Sequence, residues 1–250
     1  MFNRRTLPAA AAIWVSFALP LAQLALGEPP APEKVSTYAP AKDLISQFDL
    51  CMQTLGELLE DAETFEAKSK SFARNSVTVV VIAQHLALHD ESHDLKKAAP
   101  AIFHAASKLA EAEDYDAAQE AFATLLSLAA GETSEAAMPT WEPVVEMEPL
   151  MEQVGFLNSK LRRGVRRLKR NRDDVMRRVA VLAALSQAVM PDLSFVADKE
   201  DAPKWFALCV EMRDACGALR AATVAGDEDS AKTAVKALDQ SCKACHDIFR

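Results

Sequence analysis

The amino-acid sequence predicts an all-α protein built from two four-helix bundles in tandem. Glycine accounts for only 7 of the 250 residues, which is too few for the tight turns of most β folds. Alanine and leucine dominate a chain that is 50% hydrophobic, and both residues favour helices. Apolar residues recur every three or four positions in both halves, as on one face of an α-helix. A chain of this length is more typical of two small domains than of one.

The composition and the missing motifs exclude several function classes. A formal net charge of −8 argues against general nucleic-acid binding. The sequence has neither G-x-G-x-x-G nor G-x-x-x-x-G-K-[ST], the glycine-rich motifs that hold phosphates. No Ser/His/Asp constellation indicates hydrolysis, and no histidine pair indicates a peroxidase pocket. We therefore predict that the protein is not an enzyme.

Residues 1–27 are predicted to be a signal peptide. Arg4 and Arg5 precede an almost continuously apolar stretch, and Ala25 and Gly27 are the small residues expected before a cleavage site. The alternative is an uncleaved membrane anchor, because the apolar stretch is nearly long enough to span a bilayer. Both interpretations place the protein outside the cytoplasm, so we predict a periplasmic location. Residues 28–41 are rich in proline and are predicted to be a linker.

Residues 42–135 are predicted to form the first helical bundle. The spacing of Leu44, Phe48, Cys51 and Leu55 by three and four indicates a helix from residue 42 onward. Three more helices are predicted over residues 75–88, 100–112 and 116–128. The apolar β-branched run at 79–82 would also suit a buried strand, and periodicity does not decide between helix and strand. Glycine and proline then end the bundle, so residues 136–143 are predicted to be a second linker.

Residues 144–250 are predicted to form the second bundle. Apolar stripes indicate its first two helices, over residues 147–168 and 175–189. Pro203 suits the first turn of the third helix, and Gly226 ends that helix. The fourth helix then runs toward the end of the sequence.

The sequence C-x-x-C-H at residues 242–246 is the one motif that carries chemistry. It is typical of c-type haem attachment. Two thiols one helical turn apart can add to the two vinyl groups on one edge of a porphyrin, and the following imidazole can then bind the iron. We therefore predict one covalent haem c, attached through Cys242 and Cys245, with His246 as the proximal iron ligand. Export supports this prediction, because covalent haem attachment takes place outside the cytoplasm.

Three other interpretations of the motif are weaker. A thioredoxin-like redox pair needs a βαβ context, which the helical pattern does not provide. A zinc site needs a second Cys/His pair, and the other histidines lie far away in the sequence. A disulfide between Cys242 and Cys245 would leave His246 unexplained.

Residues 144–250 resemble the class II cytochromes c, the cytochrome c′ family. The segment from Gly226 to Arg250, with C-x-x-C-H on the last helix, carries the resemblance, and the Pro203 start of the third helix also fits. The resemblance implies a monohaem protein with haem c as its cofactor. It also implies that Arg250, one helical turn beyond His246, lies beside the proximal histidine and the haem edge.

The resemblance further implies that the sixth iron position faces a residue of the first helix in this bundle. Met151 precedes Leu161 by the family's spacing of ten, although Met147-Glu148 stands where the family has Arg-Gln. If Met151 binds the iron, the six-coordinate haem suits electron transfer, which is the function that we favour. If Met151 only packs in the core, the five-coordinate haem could bind NO or CO, and the alternative function is gas binding or sensing.

The first bundle has no C-x-x-C-H motif and is predicted to be a degenerate, haem-less repeat of the second. Residues 99–103 resemble residues 202–206 in support of such a duplication. His85, His89 and His93 are four residues apart and could bind Zn²⁺ or Cu²⁺. We favour the other interpretation, an exposed polar face at a helix end.

The two halves differ strongly in charge. Residues 28–140 carry 8 basic and 19 acidic residues, whereas residues 141–250 carry 18 basic and 17 acidic residues. Ten cations crowd into a short stretch of the second half: Lys160, Arg162, Arg163, Arg166, Arg167, Lys169, Arg170, Arg172, Arg177 and Arg178. This stretch is either a solvated helix face or a docking patch for the acidic first half, an acidic redox partner protein or anionic lipid. The sequence leaves a homodimer open.

Three cysteines lie outside the motif. Cys209 and Cys216 are seven residues apart on one predicted helix, so their Cα atoms are about 10 Å apart, too far for a disulfide. Cys51 could pair with either residue and bridge the halves. We predict instead that all three are buried, unpaired thiols.

Overall fold

The computed structural model describes residues 29–132 and 134–250. The predicted signal peptide at residues 1–27, with its membrane-anchor alternative, therefore lies outside the described residues. The described part of the chain is helical and contains no strand, which confirms the all-α prediction. None of its helices combines the length and the apolar character needed to cross a membrane.

The first half contains the four predicted helices and two short additional ones. They are α1 (Val35–Tyr38), α2 (Ala41–Leu58), α3 (Ala62–Ala67), α4 (Ser69–Ala87), α5 (Ala99–Ala110) and α6 (Tyr115–Ala129). The β-branched run at 79–82 lies inside α4 with every side chain fully buried, so the strand alternative is wrong. A helix that is apolar on all sides, such as this part of α4, is covered by neighbours on all sides.

The segment predicted as the first linker, residues 28–41, is folded onto the second half. It contains α1, whose Val35 and Tyr38 are buried. The guanidinium of Arg213 stacks over the Tyr38 ring at 5.4 Å and donates to the Glu33 carboxylate at 2.5 Å. The linker prediction is therefore wrong for the part of the segment after residue 32, because the buried Val35 and Tyr38 anchor that part to the second half. The proline-rich residues 29–32 form no helix.

The second half contains four long helices. They are α7 (Met147–Gly164), α8 (Leu168–Val189), α9 (Ala202–Ala225) and α10 (Glu228–Phe249), with short 3-10 turns before α8 and before α9. Gly226 has a φ of +72°, a left-handed conformation that favours glycine and ends α9. The Asp227 carboxylate accepts from the backbone N–H of Asp229 and Ser230 and so caps α10.

The two halves share one continuous apolar core. Helix α2 packs on α8, and α4 packs on both α7 and α8. In the segment predicted as the second linker, residues 136–143, the Gln84 side chain donates to the Thr140 carbonyl at 2.6 Å, and the Trp141 ring contacts the His85 ring. Helices α7 and α8 of the second half therefore pack directly on the first half.

Candidate haem site

The C-x-x-C-H motif lies in the last two turns of α10. The apolar face of this helix is buried at Ala231, Val235 and Leu238. Cys242 and Cys245 continue that face toward the end of the helix and are half-buried, whereas His246 is exposed. The helix therefore holds both thiols at the edge of the core and leaves the imidazole free to reach a ligand.

A cleft of about 540 Å³ opens beside the end of α10. Its lining comes from α7, α9, α10 and the α8–α9 connection, and it comprises Met147, Glu148, Met151, Glu152, Phe195, Trp205, Cys245, His246, Phe249 and Arg250. We call it the C-terminal cleft. The structure thus brings together four of the five predicted site residues, Met151, Cys245, His246 and Arg250. Cys242 lies one turn back along α10 and is not part of the lining.

The walls of the C-terminal cleft are largely apolar. The Trp205 and Phe249 rings meet edge to face at 5.2 Å and fix the end of α10 against α9. Phe195 is 51% exposed, and Ile248, on the same end of α10, is 41% exposed. Of these two side chains, only Phe195 lines the cleft. Phe195 was not predicted from the sequence, because it lies in a loop without periodicity.

Residues 197–250 match the family model described as Cytochrome C'. This match spans α9 and α10 and includes the C-x-x-C-H motif, so the predicted resemblance of the C-terminal helices to cytochrome c′ is confirmed. No curated protein and no solved structure matches the chain.

The donors in and beside the C-terminal cleft fit a haem c. Both thiols of the motif are free, and an imidazole and a thioether face the same cleft. Apolar walls suit the porphyrin faces, and Arg250 places a cation at the cleft for the anionic propionate groups. Among the described residues, no group of three or more His, Cys, Asp or Glu side chains is arranged to hold a metal ion. The zinc interpretation of the motif therefore has no structural support.

Burial keeps both thiols of the motif protonated at neutral pH. It raises the pKa of Cys245 to about 11, with a further contribution from the nearby Cys242. It also raises the pKa of Cys242, with a smaller contribution from the Asp239 carboxylate. A protonated thiol is a weak nucleophile, so each thiol of the motif reacts through the small fraction that has lost its proton.

A polar network that the sequence did not indicate fixes α10 against α7. The Asp239 carboxylate accepts from Arg162 at 2.6 and 2.9 Å and from the Asn158 amide at 2.8 Å. Asp239 lies just before Cys242, so the network sets the position of the motif relative to the helix that carries Met151. In the sequence, the only hint of this network is that Asn158 and Arg162 are four residues apart and therefore on one face of α7.

The histidines of the first half are structural. Helix α4 ends at Ala87, so His93 does not share a helical face with His85. His85 and His89 are buried, contrary to the predicted exposed face. Ring nitrogens of His85, His89 and His93 pair with backbone carbonyls at 2.8, 3.2 and 2.9 Å. The Zn²⁺ or Cu²⁺ alternative is therefore not supported.

The ten cations predicted as a docking patch lie where α7 ends and α8 begins, and we call them the basic corner. Arg162 pairs with Asp239, and both Arg177 and Arg178 pair with Asp174. Within the described residues, the other seven have no salt bridge: Lys160, Arg163, Arg166, Arg167, Lys169, Arg170 and Arg172. No cation of the corner forms a salt bridge with a described acid of the first half.

Proposed function

We propose that the protein is an exported monohaem c-type cytochrome that transfers electrons. Its single haem c is attached through the Sγ atoms of Cys242 and Cys245, and His246 is the proximal iron ligand. The observation that carries the proposal is that Cys245, His246 and Met151, from two different helices, line the same cleft. The family match of α9 and α10 supports the choice of haem c. The proposed role is that of a carrier and not of an enzyme.

When bound, the haem supplies a one-electron iron couple, and the protein residues set its properties. Two thioether bonds from one turn of α10 keep the cofactor in place in both oxidation states. The apolar side chains of Phe195, Trp205 and Phe249 exclude water, which reduces the solvent rearrangement that accompanies a change of charge. Arg250, which lines the cleft, would hold a negatively charged edge group of the bound cofactor.

Met151 favours electron transfer over gas binding. It lies in the first turns of α7, is half-buried and lines the C-terminal cleft together with His246. A thioether ligand stabilises Fe(II) and closes the sixth position to diatomic gases. A five-coordinate haem that binds NO or CO is the outcome expected if Met151 only packs against the cofactor.

We also propose that the basic corner binds an acidic surface on a redox partner protein. Seven cations without a described acidic partner, gathered at one end of two helices, form a local positive field on a protein of net charge −8. Such a field speeds encounter with a negatively charged partner.

The test of this function begins with a haem stain of the denatured protein. The full chain is produced in a host with haem-attachment machinery, beside a Cys242→Ala/Cys245→Ala variant. We expect haem to stay on the wild-type chain in a denaturing gel and to be lost from the double variant. Haem retained by the double variant, or absent from the wild type, would show that the attachment site is wrong.

The absorption spectrum of the reduced protein, recorded before and after addition of CO, tests the mode of action. We expect a low-spin spectrum that CO changes slowly or not at all. A high-spin spectrum that CO changes at once would overturn electron transfer in favour of gas binding.

A further inference from the structure

The core between α9 and α10 contains two cysteines that the proposed function does not use. Cys209 and Cys216, both on α9, are buried, with 4% and 1% of their surface exposed. Helices α9 and α10 are joined by only two residues, Gly226 and Asp227, and are therefore antiparallel neighbours. Each position on α9 accordingly has a counterpart on α10.

The Trp205–Phe249 ring contact fixes which residues of the two helices face each other. Cys209 lies four residues after Trp205, which is about one helical turn toward the connection. Cys245 lies four residues before Phe249, again about one turn toward the connection. Residues four apart share a helical face, so Cys209 and Cys245 occupy facing positions. The same counting places Leu238 opposite Cys216.

The surroundings of both thiols agree with this register. Cys209 is buried, and Cys245 packs against the same apolar core. The pKa of Cys209 is raised, mainly by burial and further by the nearby Cys245. Cα atoms lie about 2.3 Å from a helix axis, and packed axes are about 8–10 Å apart. Positions that face each other directly across two packed helices can therefore have Cα atoms about 5 Å apart, which is within the range of a disulfide.

We propose that Cys209 is a redox partner of the haem-attachment residue Cys245. Both cysteines are free thiols in the structure; when the haem-free protein is oxidised, they form a disulfide that ties α9 to α10 and withholds Cys245 from the cofactor. This proposal rests on the proposed attachment of haem through Cys245. The proposed disulfide makes the cytochrome c′-like segment sensitive to oxidation only while haem is absent. Once the Sγ atom of Cys245 has formed a thioether bond to haem, it can no longer form a disulfide.

The reaction is an ordinary thiol–disulfide exchange with a small or protein disulfide as the oxidant. The Cys245 thiol, which is half-exposed, loses its proton and attacks one sulfur of the oxidant, so a mixed disulfide forms and one thiol leaves. Cys209 then loses its proton and attacks Sγ of Cys245, which releases the second thiol. The protein loses two electrons and two protons, and the oxidant is reduced to two thiols.

The test uses the full chain produced without haem-attachment machinery and then treated with oxidised glutathione. Remaining thiols are alkylated, and disulfide-linked peptides are identified by mass spectrometry. We expect the Cys209–Cys245 link to be the main product. Cys209→Ala should lower the yield of peptides linking α9 to α10 at least about tenfold, whereas the matched variant Cys216→Ala should keep the wild-type yield. Cys209→Ser provides a second variant if the alanine variant loses its far-UV helical signal.

Two results with the haem-free protein would overturn the proposal. One is a wild-type protein that forms only the Cys242–Cys245 link within the motif, and the other is a main product that joins Cys216 to Cys242. The experiment needs no haem, so its failure is separate from a failure of the haem stain. In the haem-loaded protein the cross-link should be absent, and Cys209 should be alkylated only after denaturation. A Cys209–Cys245 link in that form would also overturn it.

Discussion

Met151 in α7 and His246 near the end of α10 line one cleft, although α7 is the first long helix of the second half and α10 is the last. The Asp239 network holds the two helices in this register. An imidazole and a thioether that approach the same space from two helices are the pair expected to bind a haem iron on its two sides. The identity of the sixth ligand can therefore be tested one residue at a time.

We expect Met151→Ala to convert a low-spin haem into one that binds CO rapidly. Loss of the thioether opens the sixth position and removes the ligand that favours Fe(II), so the reduction potential should fall. Substitution of a fully buried methionine costs about 2–5 kcal/mol, and half-buried Met151 should cost less. The measurements are the ferrous spectrum, the rate of CO binding and a redox titration.

Met147→Ala is the matched control for this prediction, because Met147 lines the same cleft one turn earlier on α7. It should leave the low-spin spectrum and the slow reaction with CO unchanged. If Met147→Ala opens the iron and Met151→Ala does not, Met147 is the ligand and the assignment of Met151 is wrong.

We expect His246→Ala to destroy the native haem spectrum and to leave the far-UV helical signal largely intact. His246 is exposed and makes no described hydrogen bond, so its loss removes an iron ligand without opening the core. Lys243→Ala, an exposed position of the same helix, is the control and should keep the spectrum. Complete unfolding of His246→Ala would mean that the bound haem is itself an essential part of the core.

The buried histidine of the first half predicts how stability depends on pH. Burial lowers the pKa of His85 to about 4, whereas an unfolded histidine has a pKa of about 6.5. The unfolded chain therefore binds a proton in this window that the folded protein does not. Stability is complete above pH 6.5, and about 2 kcal/mol should be lost between pH 7 and pH 5. Urea unfolding at the two pH values measures the loss.

The control for this prediction is His85→Gln, which should flatten the pH dependence. The groups close to His85 are Tyr38, Trp141 and His89. Burial also lowers the pKa of His93, which contributes in the same direction, so part of the dependence should remain. A His85→Gln variant with the full wild-type loss between pH 7 and pH 5 would show that His85 is not its cause.

The local features of the fold were predictable from the sequence, and the contacts between its halves were not. The apolar spacing, Pro203 and Gly226 predicted the helices of the second half, because periodicity, proline and glycine act within a few residues. The motif also identified Cys242, Cys245 and His246 as a candidate site. The packing of Tyr38 under Arg213 depends on residues far apart in the chain, and no local pattern encodes it.

The same limit applies to the candidate site. The exposed Phe195 enters the cleft from a connection without periodicity, and the Asp239 network joins helices whose relative register the sequence does not state. For the histidines of the first half, the sequence pattern suggested an arrangement that the structure does not have. The spacing of four residues between His85, His89 and His93 suggested that they share one helical face. The helix instead ends at Ala87, and ring nitrogens of His89 and His93 form hydrogen bonds with backbone carbonyls.

The basic corner should bind acidic polypeptides in a salt-dependent manner. Labelled poly-L-glutamate is the probe, because it presents carboxylates without a particular fold. The triple variant Arg163→Glu, Arg166→Glu and Arg167→Glu reverses three exposed cations without described acidic partners. We expect its affinity at low salt to be at least about tenfold weaker than that of the wild type, since each reversal replaces an attraction with a repulsion.

The matched control reverses three exposed lysines outside the basic corner, Lys199, Lys204 and Lys236. It changes the net charge of the protein by the same amount, so it should weaken binding far less if the corner is the docking surface. An equal loss in both variants would show that only net charge matters. The ferrous haem spectrum should be the same in both variants, because the corner lies at the other end of α7 from Met151, about 18 Å along the helix from Met151 to Arg163.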